Sequence, residues 1–468
     1  MKKIFLVISI LFVFLIRDFS QEVRWTGPSV DLSHGRLVVS ANGRYLQFED
    51  GSDFLYIGDT GWELFHRLNR EDAEKYLEKR REQGFTVIQA VVLAEFDGLD
   101  APNAYGEKPL VDNDPLKPNE KYFQHVDYIV KLAAKKGLFI GMLPTWGDKV
   151  DPQWGRGPVI FNSENAYAYG QWIGRRYKND PNIIWINGGD RWCGDNNYPV
   201  FDVLGKGIKS VDANHLMTFH PHGGISSSYC FHNTEWLDFN MLQSGHSDRY
   251  IPNYREVNAD YNLMPVKPCM DGEPNYEDHA INWNPENGWF DDWDVRRSSY
   301  WGVFAGGHGI TYGCHPVWQF YEKGRDPVTS ARKYWYDAID LPGAWDMIHL
   351  RLLLESRPVE GRVPDHSLIL SENGEGGSHI VAMRGNGYAL VYLPANISVK
   401  IRVNKLQAEQ VKAWWYNPRN GKYSEIGTFN GKQDRVYEVP VKGVDWVLVV
   451  DDIDKGYPEP GKGKVPGS

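Results

Sequence analysis

The sequence lacks the local signatures of three common classes of enzyme. It contains no Gly-x-Ser-x-Gly elbow of the kind that carries an esterase nucleophile. No two histidines have the His-x-x-x-His spacing of a helical zinc site, and no Gly-x-Gly-x-x-Gly follows the first predicted strand. These absences argue against an esterase, a zinc metallopeptidase and a dinucleotide-binding fold, and we predict neither a metal nor a cofactor.

Cysteine is scarce, with four residues in a chain of 468. The spacing of Cys193, Cys230, Cys269 and Cys314 matches no metal signature. In an exported chain these thiols can oxidise. Two alternatives stay open: a bridge between Cys193 and Cys230, which lie in loops predicted to share one rim, or four buried thiols.

Basic residues are outnumbered by acidic ones, 51 to 61, so the formal net charge is -10. An acidic chain does not attract phosphate backbones, so we predict no nucleic-acid partner. Aromatic residues make up 14% of the chain, including 18 Trp and 26 Tyr, whereas charged residues make up only 24%. This composition is typical of a folded protein, and its aromatic rings suit the C–H face of a neutral sugar. The predicted partner is a carbohydrate.

Long apolar runs are missing except at the N-terminus, where residues 4–16 follow Lys2 and Lys3. A positive segment followed by about 13 apolar residues is typical of a secretory signal peptide and is short for a membrane span. We therefore predict a signal peptide at residues 1–20 and an exported protein, periplasmic or secreted, without a membrane attachment after cleavage. An uncleaved anchor is the alternative.

A regular alternation of short apolar runs and amphipathic stretches follows a small β-element with an Asn-Gly turn at residues 36–58. Eight strands alternating with helices over about 300 residues predict a (β/α)₈ TIM barrel, with a doubly wound open sheet as the alternative. The predicted strands lie at 54–59, 86–93, 138–146, 183–187, 216–222, 237–244, 267–274 and 309–316, and the predicted helices at 69–84, 119–137, 163–180 and 294–307.

The pattern changes near residue 366 to short strands separated by turn residues, which predicts an all-β sandwich. The fold class is therefore α/β, a TIM barrel with an appended C-terminal all-β sandwich. The predicted domains are the barrel with its N-terminal hairpin (21–360), the sandwich (361–455) and a flexible tail (456–468).

Polar and aromatic residues follow the predicted barrel strands, at the end of a TIM barrel where active sites lie. Asp190 follows the fourth strand after two glycines, and Glu273 follows the seventh. Two carboxyl groups facing each other across a barrel mouth are the machinery of glycoside hydrolysis. Asp195 is the rival acid, and Asp271 is expected to orient a neighbour.

The other strand ends supply candidates for sugar binding through hydrogen bonds or ring stacking. They are Asp59, Trp62, Glu95, Trp146, Asn187, Trp192, His220, His222, Gln243, His246, His315 and Trp318.

Several of these segments together resemble the apiosidase-like glycoside hydrolases of family 140, over residues 25 to 450. They are FLYIGDTGWELF, GLFIGMLPTWGDK, NIIWINGGDRW, MDGEPNYE and TYGCHPVWQF, and AWWYNPRNGKY resembles the appended β-domain of that family, which is labelled collagen-binding. The resemblance implies hydrolysis of an apiosyl linkage in pectin, in rhamnogalacturonan II, with Asp190 as acid/base and Glu273 as nucleophile. The wider clan has Asn-Glu where this chain has Asn187-Gly188, so the acid must come from Asp190.

Two other functions remain open on the sequence. One is another clan A β-glycosidase, of the arabinosidase or endo-glucanase type. The other is a catalytically silent carbohydrate-binding protein, although binding alone does not require two opposed carboxylates.

Overall fold

A computed structural model describes residues 23–462. The predicted signal peptide lies outside the described residues. The first element is the predicted hairpin, in which β1 (Leu37–Val39) pairs antiparallel with β2 (Leu46–Phe48). This hairpin lies at the bottom of the barrel, where Phe48 contacts the ring of Phe139 at the start of a barrel strand.

Eight parallel strands form the barrel, as predicted. They are β3 (Tyr56–Thr60), β4 (Val87–Leu93), β5 (Phe139–Thr145), β6 (Ile183–Arg191), β7 (Met217–Pro221), β9 (Asn240–Gln243), β10 (Cys269–Asp271) and β11 (Gly309–Tyr312), while β8 (Ile225–Ser226) pairs antiparallel with β9. The hydrogen-bonded order is β7-β6-β5-β4-β3-β11-β10-β9-β8. The gap between β7 and β9 is bridged by the Asp238 amide, which donates to the Met217 carbonyl at 2.8 Å.

The helices that cover the barrel include four that were predicted and several that were not. In chain order they are α1 (Leu64–Arg67), α2 (Arg70–Glu82), α3 (Glu120–Lys135), α4 (Ser163–Tyr177), α5 (Tyr198–Lys209), α6 (Ser228–Phe231), α7 (Asn253–Tyr261), α8 (Asp292–Phe304), α9 (His315–Trp318), α10 (Trp335–Ala338) and α11 (Pro342–Glu355). Short 3-10 turns occur at Leu32–His34, Val111–Asn113, Gly147–Lys149, Ile281–Trp283, Pro285–Asn287, His366–Leu368, Gly376–Ser378, Val403–Leu406 and Ile453–Lys455.

The predicted helices begin where the sequence supplies a cap. Asn69 accepts a hydrogen bond from the Asp72 amide at the start of α2, and Asn162 forms a reciprocal capping box at the start of α4. In these two helices, acidic residues occupy the first turn and basic residues the last, which complements the helix dipole.

Alternate residues of the barrel strands contribute to two hydrophobic clusters, one inside the barrel and one between the strands and the surrounding helices. In β4, Val87 and Val91 point into the barrel, whereas Ile88 and Val92 point outward to the helices. The inward layer ends at the carboxyl face under Trp62, Trp146 and Trp318, which belong to the same cluster. The top of the barrel interior is therefore closed by indole rings, and the candidate site lies above them.

The C-terminal domain consists of two antiparallel sheets. The larger has the order β12 (Val363–Pro364), β13 (Val381–Gly385), β14 (Tyr388–Leu393), β19 (Trp446–Asp452), β16 (Gln410–Tyr416), β17 (Tyr423–Asn430), and the smaller pairs β15 (Ser398–Ile401) with β18 (Arg435–Glu438). This confirms the predicted appended all-β domain. The first apolar run of this region, residues 367–371, is not one of these strands: it begins with a 3-10 turn and makes only an isolated bridge at Ile369.

The central strands β14 and β19 of the larger sheet are buried on both faces. Alternate residues of β19 belong to different clusters: Val447 and Val449 pack with the barrel, and Leu448 and Val450 pack with the smaller sheet. On the barrel side, the ring of Tyr392 stacks on Tyr300 of α8 at 4.6 Å between centroids. The larger sheet of this domain therefore packs directly against the barrel helices.

Within residues 23–462, no helix is both long and apolar enough to cross a bilayer. The segment predicted as a flexible tail is described as far as residue 462, and there the Gly461 amide donates to Ser356 Oγ at 3.3 Å. The rest of that segment lies outside the described residues.

Candidate active site

Asp190 is carried to the barrel mouth by a sharp bend at the end of β6. Gly188, Gly189 and Asp190 have φ values of 97°, 112° and 56°, and the pairing with β7 shifts register between Gly188 and Arg191. A Cβ on Gly188 would lie 2.4 Å from the His220 carbonyl oxygen, so no other residue fits there. The two glycines therefore permit the backbone bend that brings Asp190 to the barrel mouth.

The carboxyl group of Asp190 has one close neutral donor and one more distant cation. Its Oδ2 accepts a hydrogen bond of 2.6 Å from Trp154 Nε1, and the Arg191 guanidinium lies 3.9 Å away. Arg191 donates instead to the Asp151 carbonyl at 2.6 Å and lies over the Trp154 ring. The cation is thus largely committed elsewhere, and Asp190 keeps a side chain that is 21% exposed.

Glu273 lies opposite, after β10, between two imidazoles. His220 Nε2 is 2.9 Å from its Oε2, and His246 Nε2 is 3.1 Å from its Oε1. The Asp190 amide donates to His220 Nδ1 at 3.4 Å, so the His220 proton is on Nε2, which faces Glu273. The Glu273 amide donates to Asp271 Oδ1 at 3.2 Å, so Asp271 contacts the backbone that carries Glu273.

The two carboxyl groups have pKa values displaced in opposite directions. Burial, and then the negative charge of Glu273, raise the pKa of Asp190 to about 6. Burial alone would also raise the pKa of Glu273, but its close polar contacts with His220 and His246 outweigh burial and lower that pKa to about 2. Between pH values of about 2 and about 6, Asp190 is protonated beside an ionised Glu273, and such a separation of pKa values lets two carboxyl groups take different roles.

The floor of the site is built from aromatic side chains after β3, β5 and β10. Trp62 Nε1 donates to the Tyr276 hydroxyl at 3.1 Å, and the Trp62 and Trp146 rings lie 5.3 Å apart. Both rings contact the His220 imidazole, at 5.3 and 5.9 Å. Trp146 Nε1 has no hydrogen-bond partner in the described part of the chain, so it is available as a donor to a ligand.

One wall of the site is a row of rings that the sequence only partly predicted. His246 and His279 lie 4.5 Å apart between centroids, and His279 lies 4.5 Å from His315. Trp283, 49% exposed, packs edge-on against His279 at 4.3 Å. His279 and Trp283 were missed because they lie in the long loop after β10, several residues beyond the strand end. Trp154 was missed for the same reason after β5.

Two further predicted residues lie at the same end of the barrel. Glu95, after β4, is buried, and burial followed by the charges of Asp190 and Asp148 raises its pKa well above the usual range. Gln243 ends β9, and its Oε1 is buried without a hydrogen-bond partner. A buried carboxyl group and an unpaired amide oxygen are suited to binding sugar hydroxyls.

Three predicted sugar ligands are engaged elsewhere, and these predictions need correction. Asp59 is fully buried and pairs with Arg80 Nε at 2.7 Å. Asn187 donates to the Phe201 carbonyl at 2.7 Å and accepts from the Gly188 amide at 2.9 Å. His315 is buried, with Nδ1 accepting from Trp318 Nε1 at 3.3 Å and Nε2 directed at the Val328 carbonyl. These side chains brace the site instead of facing a ligand, and Trp318 is 5% exposed beside them.

The outer rim between β6 and β7 carries Trp192 and His222, whose rings lie 5.9 Å apart. Asp195, the rival acid, accepts a hydrogen bond of 3.2 Å from Trp192 Nε1 and lies exposed outside the pair formed by Asp190 and Glu273. A disulfide joins Cys193 to Cys230, which decides between the two alternatives in favour of one bridge. Cys269 and Cys314 are free and buried.

Among residues 23–462, no group of three or more His, Cys, Asp or Glu side chains is placed to hold a metal ion. Asp190 and Glu273 instead present two carboxyl groups above a floor of indole rings.

Comparisons with known proteins agree with this geometry. The chain is 37% identical to the crystal structure of a glycoside hydrolase family 5 from Bacteroides vulgatus ATCC 8482, over 92% of this chain and 96% of that one, with a TM-score of 0.87. It is 38% identical to a structure named "Glycoside hydrolase", over 91% of this chain and 98% of that one, with a TM-score of 0.85.

Among curated proteins, 134 residues are 30% identical to dimethylglycine dehydrogenase, mitochondrial, of Mus musculus. That match covers 24% of this chain and 15% of that protein, so the chain spans a small part of the length of this curated relative.

Two family models match the chain. Residues 363–451 match the model described as "Putative collagen-binding domain of a collagenase". Residues 40–360 match the model described as "Apiosidase-like, catalytic domain". The chain therefore belongs to the apiosidase-like family of glycoside hydrolases.

Proposed function

We propose that the protein hydrolyses an apiosyl linkage in pectin, in the side chains of rhamnogalacturonan II, by a retaining double displacement. The observation that carries the proposal is the pair formed by Asp190 and Glu273, with pKa values of about 6 and about 2. Membership of the apiosidase-like family supports the choice of sugar. We further propose that residues 1–20 are a signal peptide and that the mature protein acts on plant cell-wall glycans in the periplasm or outside the cell.

The two carboxyl groups divide the reaction into two steps. Glu273 attacks the anomeric carbon while Asp190 gives its proton to the glycosidic oxygen, so the C–O bond breaks and a glycosyl ester forms on Glu273. Asp190, now ionised, takes a proton from water as that water attacks the same carbon. The ester bond breaks, Glu273 leaves as a carboxylate, and Asp190 is again protonated.

Release of sugars from a panel of glycans tests this function. The panel contains rhamnogalacturonan II oligosaccharides, arabinan and cellulose oligosaccharides. Apiose released from the first substrate alone is the expected result. Arabinose or glucose release would favour another clan A activity. Binding without release of any sugar would favour a silent carbohydrate-binding protein.

Retention of anomeric configuration is a separate prediction. We expect the carboxyl groups of Asp190 and Glu273 to lie ~5–5.5 Å apart in the complex with substrate, the spacing that leaves no room for a water beside Glu273. NMR spectra recorded immediately after hydrolysis begins should show the product with the anomeric configuration of the substrate. The inverted anomer as first product would remove the nucleophile role from Glu273.

The pH dependence of kcat/KM should follow the two carboxyl groups. Activity requires ionised Glu273 and protonated Asp190, so it should rise above a pH of about 2 and fall above a pH of about 6. The Trp154 hydrogen bond lowers the pKa of Asp190. Trp154→Phe should therefore raise that pKa and move the alkaline limb upward by about one pH unit.

Trp345→Phe is the control for this shift, because Trp345 Nε1 donates to the exposed carboxylate of Asp340 on the outside of the barrel. Its pH profile should match the wild type. An alkaline limb that stays in place in Trp154→Phe would show that another group sets it.

A further inference from the structure

We propose that the Cys193–Cys230 disulfide holds Trp192 and Tyr229 as a stacking platform for the sugar ring on the leaving-group side of the scissile bond. This inference rests on the proposed function and adds a binding residue, Tyr229, and a role for the disulfide. We call Trp192 and Tyr229 the rim pair.

The rim pair is built from the residues that precede the two cysteines. Trp192 precedes Cys193 after β6, and Tyr229 precedes Cys230 in α6. Their ring centroids lie 5.3 Å apart with an interplanar angle of 55°. The disulfide joins segments 37 residues apart, with Cα atoms at 6.0 Å, so it fixes the distance between the two backbones that carry these rings.

The two rings have different degrees of restraint. Trp192 donates to Asp195 Oδ2 at 3.2 Å, and its carbonyl accepts from Asn197 Nδ2 at 3.0 Å. A Cβ on Gly194 would lie 2.7 Å from Trp192 Nε1, so the indole packs directly on a glycine backbone. Tyr229 is 73% exposed. A phenol ring so exposed contributes little to the core, and beside an indole it offers an open surface to a ligand.

The position of the rim pair relative to the acid indicates which sugar it contacts. His220 contacts both Glu273 and the Asp190 amide, whereas His222, which contacts Trp192, lies two residues farther along the strand direction. Two residues of extended chain advance about 6–7 Å out of the barrel. The rim pair therefore lies farther out of the barrel than the His220 ring, which contacts both Glu273 and the Asp190 amide.

The reacting sugar must sit against Glu273, because the anomeric carbon forms a bond to it. The glycosidic oxygen faces Asp190, and the leaving group extends beyond that oxygen, away from Glu273. A ring on this side meets the rim pair. The ligand class is a neutral sugar ring of the pectic chain, whose C–H face packs on an aromatic ring.

Equilibrium binding tests the inference without the complication of turnover. In the Glu273→Gln background, NMR titration gives dissociation constants for a rhamnogalacturonan II oligosaccharide and for free apiose. Adding Tyr229→Ala should weaken oligosaccharide binding about five- to tenfold, the worth of one aromatic contact, and leave apiose binding unchanged. Tyr167→Ala, at an exposed tyrosine on α4, is the matched control and should change neither constant.

Replacing both bridged cysteines by serine tests the tether in the same background. The expected result is a similar weakening of oligosaccharide binding with no change in apiose binding. The thermal unfolding midpoint is recorded to confirm that the variant is folded. Unchanged oligosaccharide affinity would overturn the role of the disulfide. If Tyr229→Ala weakened binding of both ligands equally, the rim pair would contact the reacting sugar instead of the leaving group. If it weakened binding of neither ligand, the rim pair would not be a binding site. If the proposed function itself fails, the enzyme with Glu273 intact releases no apiose, a separate result.

Discussion

Glu273→Gln is expected to lower kcat for glycan hydrolysis by about 10⁴- to 10⁶-fold, the loss typical of a missing nucleophile. The amide keeps the shape of the side chain and its place between His220 and His246, 2.9 and 3.1 Å away. It carries no negative charge, so it cannot form the glycosyl ester. The measurement is apiose release per enzyme under saturating oligosaccharide, followed over hours because the residual rate is low.

Glu286→Gln is the control, since Glu286 lies exposed in the same loop after β10. Both variants should retain the wild-type circular dichroism spectrum. Wild-type turnover by Glu273→Gln would show that the nucleophile is elsewhere in the site.

Arg296→Met is expected to lower the free energy of unfolding by about 3–5 kcal/mol, the cost of breaking a buried ion pair on one side. Arg296 in α8 donates to Asp445, which precedes β19, through Nε at 2.9 Å and a second nitrogen at 3.2 Å. It also contacts Asp346 of α11 at 2.6 Å. Arg296 is 2% exposed and Asp346 is 4% exposed, so Asp346 would be left without its cation and out of contact with water, while Asp445 would keep Arg419 at 2.9 Å.

Urea titration monitored by Trp fluorescence measures this change. Lys75→Met is the matched control, because Lys75 pairs with Asp72 at 3.2 Å with 61% of its side chain exposed, and such pairs contribute less than about 1 kcal/mol. Similar midpoints for the two variants would show that the contact between barrel and C-terminal domain does not depend on Arg296.

The barrel could be predicted because each of its strands is an apolar run that ends in polar residues. Helices such as α2 and α4 were predicted from amphipathic stretches between the strands, and in the structure each begins at an asparagine cap. By contrast, α11 was missed because it has no polar face. Eleven of its fourteen residues are buried, among them Asp346, His349 and Arg351, since the barrel covers one side and the C-terminal domain the other. A helix covered on both sides lacks the periodicity by which helices are recognised.

The candidate site was predictable in its chemistry and less so in its contacts. Asp190 and Glu273 are both at the mouth, as the strand ends indicated. Asp59 also lies near the end of a strand, but its carboxylate forms a buried ion pair with Arg80 of α2 instead of facing the mouth. A partner 21 residues distant is not visible in a local motif. Trp154 and Trp283 reach the site from loops, whose course depends on packing that the sequence pattern does not report.

The double burial of the larger C-terminal sheet has a consequence for how this protein could change in evolution. One face of β19 packs with the barrel and the other with the smaller sheet, so neither surface is free to accept a different neighbour. A binding domain on a flexible linker can be exchanged between proteins without disturbing its neighbour. Here, recombination at the domain boundary would bring together side chains that do not pack against each other. We therefore expect the barrel and its β-domain to be inherited as one unit, with interface residues that covary.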